Sequence, residues 1–197
     1  IKNALNHPNW LMGKKITIDS ATMMNKVFEV IEAKKIFDLN YNQLKILIHP
    51  KSYLHAIVKF NNGLSKLLVH DTNMTIPIFN SIYLNSDKKI KSKKINMKIL
   101  NNLDLKKINT IRFPVIRILK KLKKKDSLFE TVIVSANDKL VDLFLNKKIK
   151  FIDISKILLK ICSIAEFKRF KSIKPNNIDE INNLANYVSL KIDSMSI

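Results

Sequence analysis

Glycine, cysteine and arginine are all scarce in these 197 residues, and each scarcity excludes something. The two glycines, Gly13 and Gly63, cannot make a glycine-rich loop that cradles the phosphates of a dinucleotide. The single cysteine, Cys162, can form neither an internal disulfide nor a Cys-rich metal site, which fits a reducing cytoplasm. No apolar run approaches the roughly 18 residues of a membrane helix, and the first residues lack the charged-then-apolar layout of a signal peptide. A soluble, cytoplasmic protein with no membrane partner is therefore expected. Hydrophobic residues make up 46% of the chain, enough for one ordinary core or two small ones.

Negative charge is also short: 16 acidic residues face 36 basic ones, for a net charge of +20. Such an excess ordinarily suggests a nucleic acid or an anionic surface as partner. Yet only Arg112, Arg117 and Arg169 are arginine, the residue whose planar donors read bases and fork onto phosphates. Residues 85–125 hold 15 of the basic residues against Asp87 and Asp104, so the excess is local and reads as a solvated face or linker. No nucleic-acid partner is expected.

The pattern along the chain predicts an α+β fold: a small mixed sheet with helices, then a connector, then a C-terminal helical bundle. "KITID" (15–19) alternates and reads as a short strand, with Ser20 capping a helix that runs to Asp38. "LKILIH", "SYLHAIVKF" and "LSKLLVH" are strand candidates, the last two joined as a hairpin across "NNG". "TIPIFNSIYL" reads as a helix with Pro77 in its first turn. Residues 85–110 show no clean period and form the expected connector between 1–84 and 111–197. In 111–197 the period is helical through "PVIRILKKLKK", "ETVIVSANDKLVDLFLNKK", "DISKILLKICSIAEF" and "IDEINNLANYVSLKID", which predicts a bundle.

Residues 7–35, "HPNWLMGKKITIDSATMMNKVFEVIEAKK", concentrate the chemically capable side chains. Placed at about 100° per residue, Asn25, Lys26 and Glu29 share one arc of the helix, opposite Met24, Val27, Phe28 and Ile31. Ser20 at a helix N-terminus, with Asn25 and Lys26, would make a phosphate cradle of neutral donors and one point charge. Glu29 beside that cradle would repel an anion unless it holds a divalent cation or a substrate hydroxyl. The plainer alternative is a capping serine and an i,i+3 surface pair, Lys26 with Glu29.

"HPNWLMG", "DSATMMNK" and "EVIEAK" closely resemble the 1-deoxy-D-xylulose-5-phosphate reductoisomerase family. The likeness continues through "LIHPKSYLHAIVKFNNG", "NMTIPI", "FPVIRI" and "SANDKLVDLFLNKKIKFIDI" to the final helix. The resemblance implies part of a catalytic domain in 1–84, the connector, and a C-terminal helical domain, with an NADPH-binding domain and two further metal ligands not contained in this chain. It implies that His7 binds substrate phosphate, that Trp10 closes over substrate, and that Gly13 and Met12 lie near the nicotinamide cofactor. Ser20, Asn25 and Lys26 would contact substrate phosphate and hydroxyls, and Glu29 would be a ligand of Mn²⁺, Mg²⁺ or Co²⁺. Met74 would be an apolar neighbour of substrate. Three positions depart from the family pattern: Val27 replaces a usual glycine, Lys51 a usual glutamine and Thr75 a usual arginine. His49 and His55 could be catalytic or merely structural.

The implied activity is NADPH-dependent: isomerisation and reduction of 1-deoxy-D-xylulose 5-phosphate to 2-C-methyl-D-erythritol 4-phosphate in non-mevalonate isoprenoid biosynthesis. A homodimer is implied, and the 197-residue chain alone is expected to be inactive. The competing readings are a basic nucleic-acid-binding module and a helical interaction domain without catalysis.

Overall fold

In the computed structural model, which describes residues 2–5, 13–84 and 87–195, the chain forms two compact units. One comprises 2–5, 13–45 and 109–195; the other comprises 46–84 and 87–108. Along the chain the elements are α1 (Lys2–Leu5), α2 (Lys14–Thr22), α3 (Met24–Ile36), β1 (Leu47–Ile48), β2 (Leu54–Lys59), β3 (Ser65–Val69), α4 (Thr75–Ile82), α5 (Met97–Leu100), β4 (Lys106–Lys107), α6 (Phe129–Leu145), α7 (Phe151–Ile161), α8 (Ala165–Lys168) and α9 (Ile178–Ser194). Turns of 3₁₀ helix occupy Tyr41–Gln43, Pro114–Lys121 and Arg169–Ser172. The α+β class and the C-terminal bundle are as expected.

The first unit is built around α6. Its buried stripe of Val132, Ile133, Ala136 and Leu140 is fully shielded from water, and α2, α7 and α9 pack around the helix. Val132, Ile133 and Leu140 each contribute roughly 1.5–3 kcal/mol relative to exposure. Ser127 and Glu130 fix where α6 begins: both the amide and the hydroxyl of Ser127 donate to Glu130 Oε2, at 3.2 and 2.7 Å, and Ser127 Oγ accepts from the Phe129 amide. This S-x-x-E box satisfies amide donors that the helix itself leaves unpaired. Pro114–Lys121 is 3₁₀ rather than α-helical, and its three-residue period stacks Val115 and Ile118, both fully buried, beside α3.

Residues 15–19 are not a strand. They lie inside α2, with Thr17, Ile18 and Asp19 buried in succession and Ile16 exposed, a pattern that strand alternation cannot produce. Five alternating residues were too short a window to separate the two periods. Ser20 consequently is no N-cap: Gly13 precedes α2, and Ser20 sits in its last turn.

The second unit holds two antiparallel ribbons; no parallel pairing occurs among the described residues. β1 pairs with β4 at Leu47↔Lys107 and Ile48↔Lys106, and the stretch 87–108 contains β4 and the short α5. The Tyr53 hydroxyl accepts from the Asn96 amide at 3.0 Å, tying that stretch to the segment before β2. The β2–β3 hairpin forms as "NNG" predicts, with Gly63 at φ +89. A side chain there would meet no neighbour but would strain the backbone. Gly63→Ala is expected to weaken the hairpin by about 1 kcal/mol, seen as roughly fivefold faster amide exchange across Val58 and Lys66. Unchanged exchange would refute the turn's dependence on glycine.

Candidate active site

The candidate site stands on the α2–α3 helix pair. The helices are separated by one residue, Met23, in the left-handed conformation at φ 67, ψ 16. A non-glycine residue there is strained. Its neighbours compensate: the Met23 amide donates to Ser20 O at 3.1 Å, and Met24 behind it is fully buried. Thr22 Oγ1 donates within α2 and accepts from the Met24 amide at 3.4 Å, bridging the break.

The break moves the helix N-terminus from Ser20 to Met24, so Asn25 and Lys26 occupy the first turn of α3, at its positive end. Met24, Val27, Val30 and Ile31 are buried, and the opposite arc carries Asn25, Lys26 and Glu29 together. Lys26 Nζ donates to both oxygens of Glu29, at 2.8 and 2.9 Å, and Asn25 Nδ2 reaches Oε1 at 3.5 Å. Asn25 Oδ1 is buried with no hydrogen-bond partner. The sequence-predicted i,i+3 pair therefore exists, and as an exposed pair it contributes only about 0.2–0.5 kcal/mol. Ser20 is half-buried on α2, and its hydroxyl makes no hydrogen bond among the described residues. Gly13 is exposed, and a Cβ there would meet nothing within 4 Å. His7, Trp10 and Met12 lie outside the described residues.

One contributor was not legible in the sequence: Asp19. It is buried on α2 and accepts from Asn137 Nδ2 of α6 at 2.7 Å. Lys15 Nζ bridges Asp19 at 3.0 Å and Asp138 at 2.8 Å, joining the same two helices. Burial pushes the Asp19 carboxyl above its ordinary value, against the lowering effect of the Asn137 amide and the Lys15 ammonium. The i,i+4 spacing of Lys15 and Asp19 hinted at this network, but only once 14–22 is a helix.

The remaining histidines and the cysteine are placed elsewhere. His49 Nδ1 donates to Leu103 O at 2.6 Å, and its Nε2 is buried without a partner. His55 stacks on His70 with centroids 3.6 Å apart, its Nε2 against His70 O. Met74, exposed, precedes α4, where the Thr75 amide donates to Asn73 Oδ1; Lys51 lies exposed in a turn. Cys162 is fully buried, and burial pushes its thiol up to about 11, which leaves it inert as a nucleophile at neutral pH.

Comparison with known proteins decides the family. The family model for the DXP reductoisomerase C-terminal domain matches residues 70–189, and a second, for the 1-deoxy-D-xylulose 5-phosphate reductoisomerase C-terminal domain, matches 1–37. The chain belongs to the DXP reductoisomerase family. It is 78% identical to the 1-deoxy-D-xylulose 5-phosphate reductoisomerase of Pelagibacter ubique over all of this chain and 51% of that protein. The Sulfurihydrogenibium reductoisomerase is 36% identical over 98% of this chain and 52% of its own length. A crystal structure of DOX-P reductoisomerase in complex with NADPH, fosmidomycin and magnesium superposes with a TM-score of 0.86 at 29% identity, covering 98% of this chain and 48% of that one. The Zymomonas mobilis enzyme in complex with NADPH gives 0.80 at 28% identity, covering 91% and 46%. The chain thus spans about half the length of these reductoisomerases.

That half does not by itself fit the groups bound in those two structures. Among the described residues no set of three or more His, Cys, Asp or Glu could hold a metal ion, and Glu29 offers one carboxylate. Gly13 leaves room for a close backbone approach but forms no cradle. No described helix is long and apolar enough to cross a membrane.

The Asp19–Asn137 contact yields a test. Asn137→Ala strips a buried carboxylate of its donor and should cost about 1–3 kcal/mol. Because the folded-state pKa of Asp19 is raised, stability falls as pH rises from the unfolded value of about 3.9 through the folded one. Removing the Asn137 donor raises that pKa further, so the deficit should be larger at pH 7 than at pH 4 in urea titrations. An equal deficit at both pH values would contradict this.

Proposed function

We propose that this chain is the substrate-anchoring half of an enzyme that isomerises 1-deoxy-D-xylulose 5-phosphate and reduces the product to 2-C-methyl-D-erythritol 4-phosphate, using NADPH and a divalent metal. The observation that carries this reading is the Asn25, Lys26 and Glu29 constellation on α3, with its unpartnered Asn25 carbonyl, in a member of the family. The half of the relatives that this chain does not span would supply the other metal ligands and the nucleotide site.

In the resting arrangement Lys26 and Glu29 satisfy each other. Substrate would part them: Lys26 turns its ammonium to the phosphate, beside the free Ser20 hydroxyl, at the positive end of α3. Glu29 is released to act as one oxygen ligand, and Asn25 Oδ1 accepts from a substrate hydroxyl. His7 adds a phosphate contact, and Trp10 covers the substrate and excludes water. A bound divalent metal supplies Lewis-acid polarisation of substrate oxygens, and NADPH supplies the hydride. The anchoring residues act by orientation, using phosphate binding to hold the reacting carbons in place.

A homodimer in the cytoplasm fits this reading. The β2–β3 hairpin leaves large apolar side chains on both faces half in water: Ile57 and Leu67 are 44% and 46% exposed on one, Val58 and Leu68 49% and 58% on the other. An isolated two-stranded ribbon is marginal in water, so a second copy of the chain is the natural cover.

The test is a chimaera that joins this chain to the N-terminal half of the 78%-identical Pelagibacter relative. It should oxidise NADPH in the presence of 1-deoxy-D-xylulose 5-phosphate and Mn²⁺, and the 197-residue chain alone should not. In the chimaera, Glu29→Gln should reduce kcat by about 10³-fold or more, whereas Lys26→Ala should act mainly through KM. Absence of turnover, or equal kcat losses from both changes, would count against the proposal.

A further inference from the structure

A basic cleft lies at the far end of α3, in the same unit but outside the constellation described above. It encloses about 730 Å³ between the C-terminal end of α3, the segment that leads into α6, and the 3₁₀ turn that follows α8. Six lysines line it: Lys34, Lys123, Lys124, Lys125, Lys171 and Lys174. Only two carboxylates, Asp38 and Asp126, oppose them, and Asp126 is already held by Lys34 Nζ at 2.8 Å. The cleft therefore concentrates four unit charges beyond its own compensation. The Lys171 ammonium shows the strain: partial burial, with Lys121, Lys168 and Lys123 nearby, pulls its pKa below the ordinary value. Its nitrogen sits 4.7 Å above the buried Phe129 ring, and Lys123 Nζ donates to Ser172 Oγ at 2.9 Å, so both of these cations are held by neighbouring groups.

We infer that this cleft binds a small polyanion carrying two or more linked phosphate groups, held by ammonium groups from three separated segments of the chain. Several features favour that class of ligand. Volume falls in the roughly 300–1,000 Å³ range of small-molecule sites. All six cations are lysine, whose mobile point charges suit phosphate oxygens at varied distances, and no arginine lines the cleft. Nor, among the described residues, does any aromatic side chain line it, the Phe129 ring beneath Lys171 being buried, so these residues offer no platform on which the bases of a single strand could stack. A single phosphate, carrying about −1.5 to −2, would neutralise at most half of the excess; linked phosphates match it. This inference does not rest on the reductoisomerase reading.

Calorimetric titration of the full chain with sodium tripolyphosphate at a fixed ionic strength of about 0.15 M tests it, with inorganic phosphate and a single-stranded oligonucleotide as comparisons. Tripolyphosphate should bind at one site per chain, at least about tenfold more tightly than phosphate. The exposed pair Lys123→Gln/Lys125→Gln should weaken it by about tenfold or more, whereas the same charge change at Lys156→Gln/Lys160→Gln, on α7, should leave it within about twofold. Circular dichroism of both variants confirms that each remains folded. Absence of saturable binding, equal losses in the two double variants, or tighter binding of the oligonucleotide that is lost in the first variant would overturn the proposal, the last in favour of a nucleic-acid groove.

Discussion

The buried hydrogen bond from Asn137 to Asp19 is the constraint on which the candidate site depends. It joins residues 118 positions apart, across the α2–α6 contact, at 2.7 Å and out of water. A buried carboxylate left without partners would be costly, so the pair also selects one register of α2 on α6. Lys15 extends the link by spanning Asp19 and Asp138. With α2 held, the single left-handed residue Met23 sets the direction of α3, and the apolar residues Met24, Val27 and Ile31 then decide which arc of α3 faces outward.

The site follows from that arrangement. Asn25, Lys26 and Glu29 are adjacent because they are three and four residues apart on one helix; they are usefully oriented because the helix cannot roll. Val27 is fully buried beneath them and adds to that hold. The same helix carries Lys34 at its other end, where the Asp126 contact ties it to the segment before α6. α3 thus carries the Asn25, Lys26 and Glu29 arc at its start and borders a cationic cleft at its end.

Local features were legible in the sequence. The NNG hairpin, Pro77 in the first turn of α4 and the helices of the bundle all carry their signals within a few residues, and so does the shared arc of Asn25, Lys26 and Glu29. Features that depend on distant partners were not. Lys106 and Lys107 carry no strand signal; they pair because Leu47 and Ile48 lie opposite them. "KITID" mimics a strand over five residues, and only its burial against α6 distinguishes the helix. Asp19 gains its meaning from Asn137, and Lys123 to Lys125 from lysines contributed by two other segments. The S-x-x-E box at Ser127 and Glu130 is a further local signal, one that marks the start of α6.

If the α2–α6 attachment is what fixes the site, α2 and α3 must open only when α6 does. Native-state hydrogen exchange measures this residue by residue. The account predicts that buried amides of α2 and α3, including those of Ile18, Val27 and Val30, open with free energies equal to those of Val132 and Ile133 in α6, and that Asn137→Ala uncouples the two groups. Opening of α2–α3 several kcal/mol below α6 in the unmodified chain would contradict it.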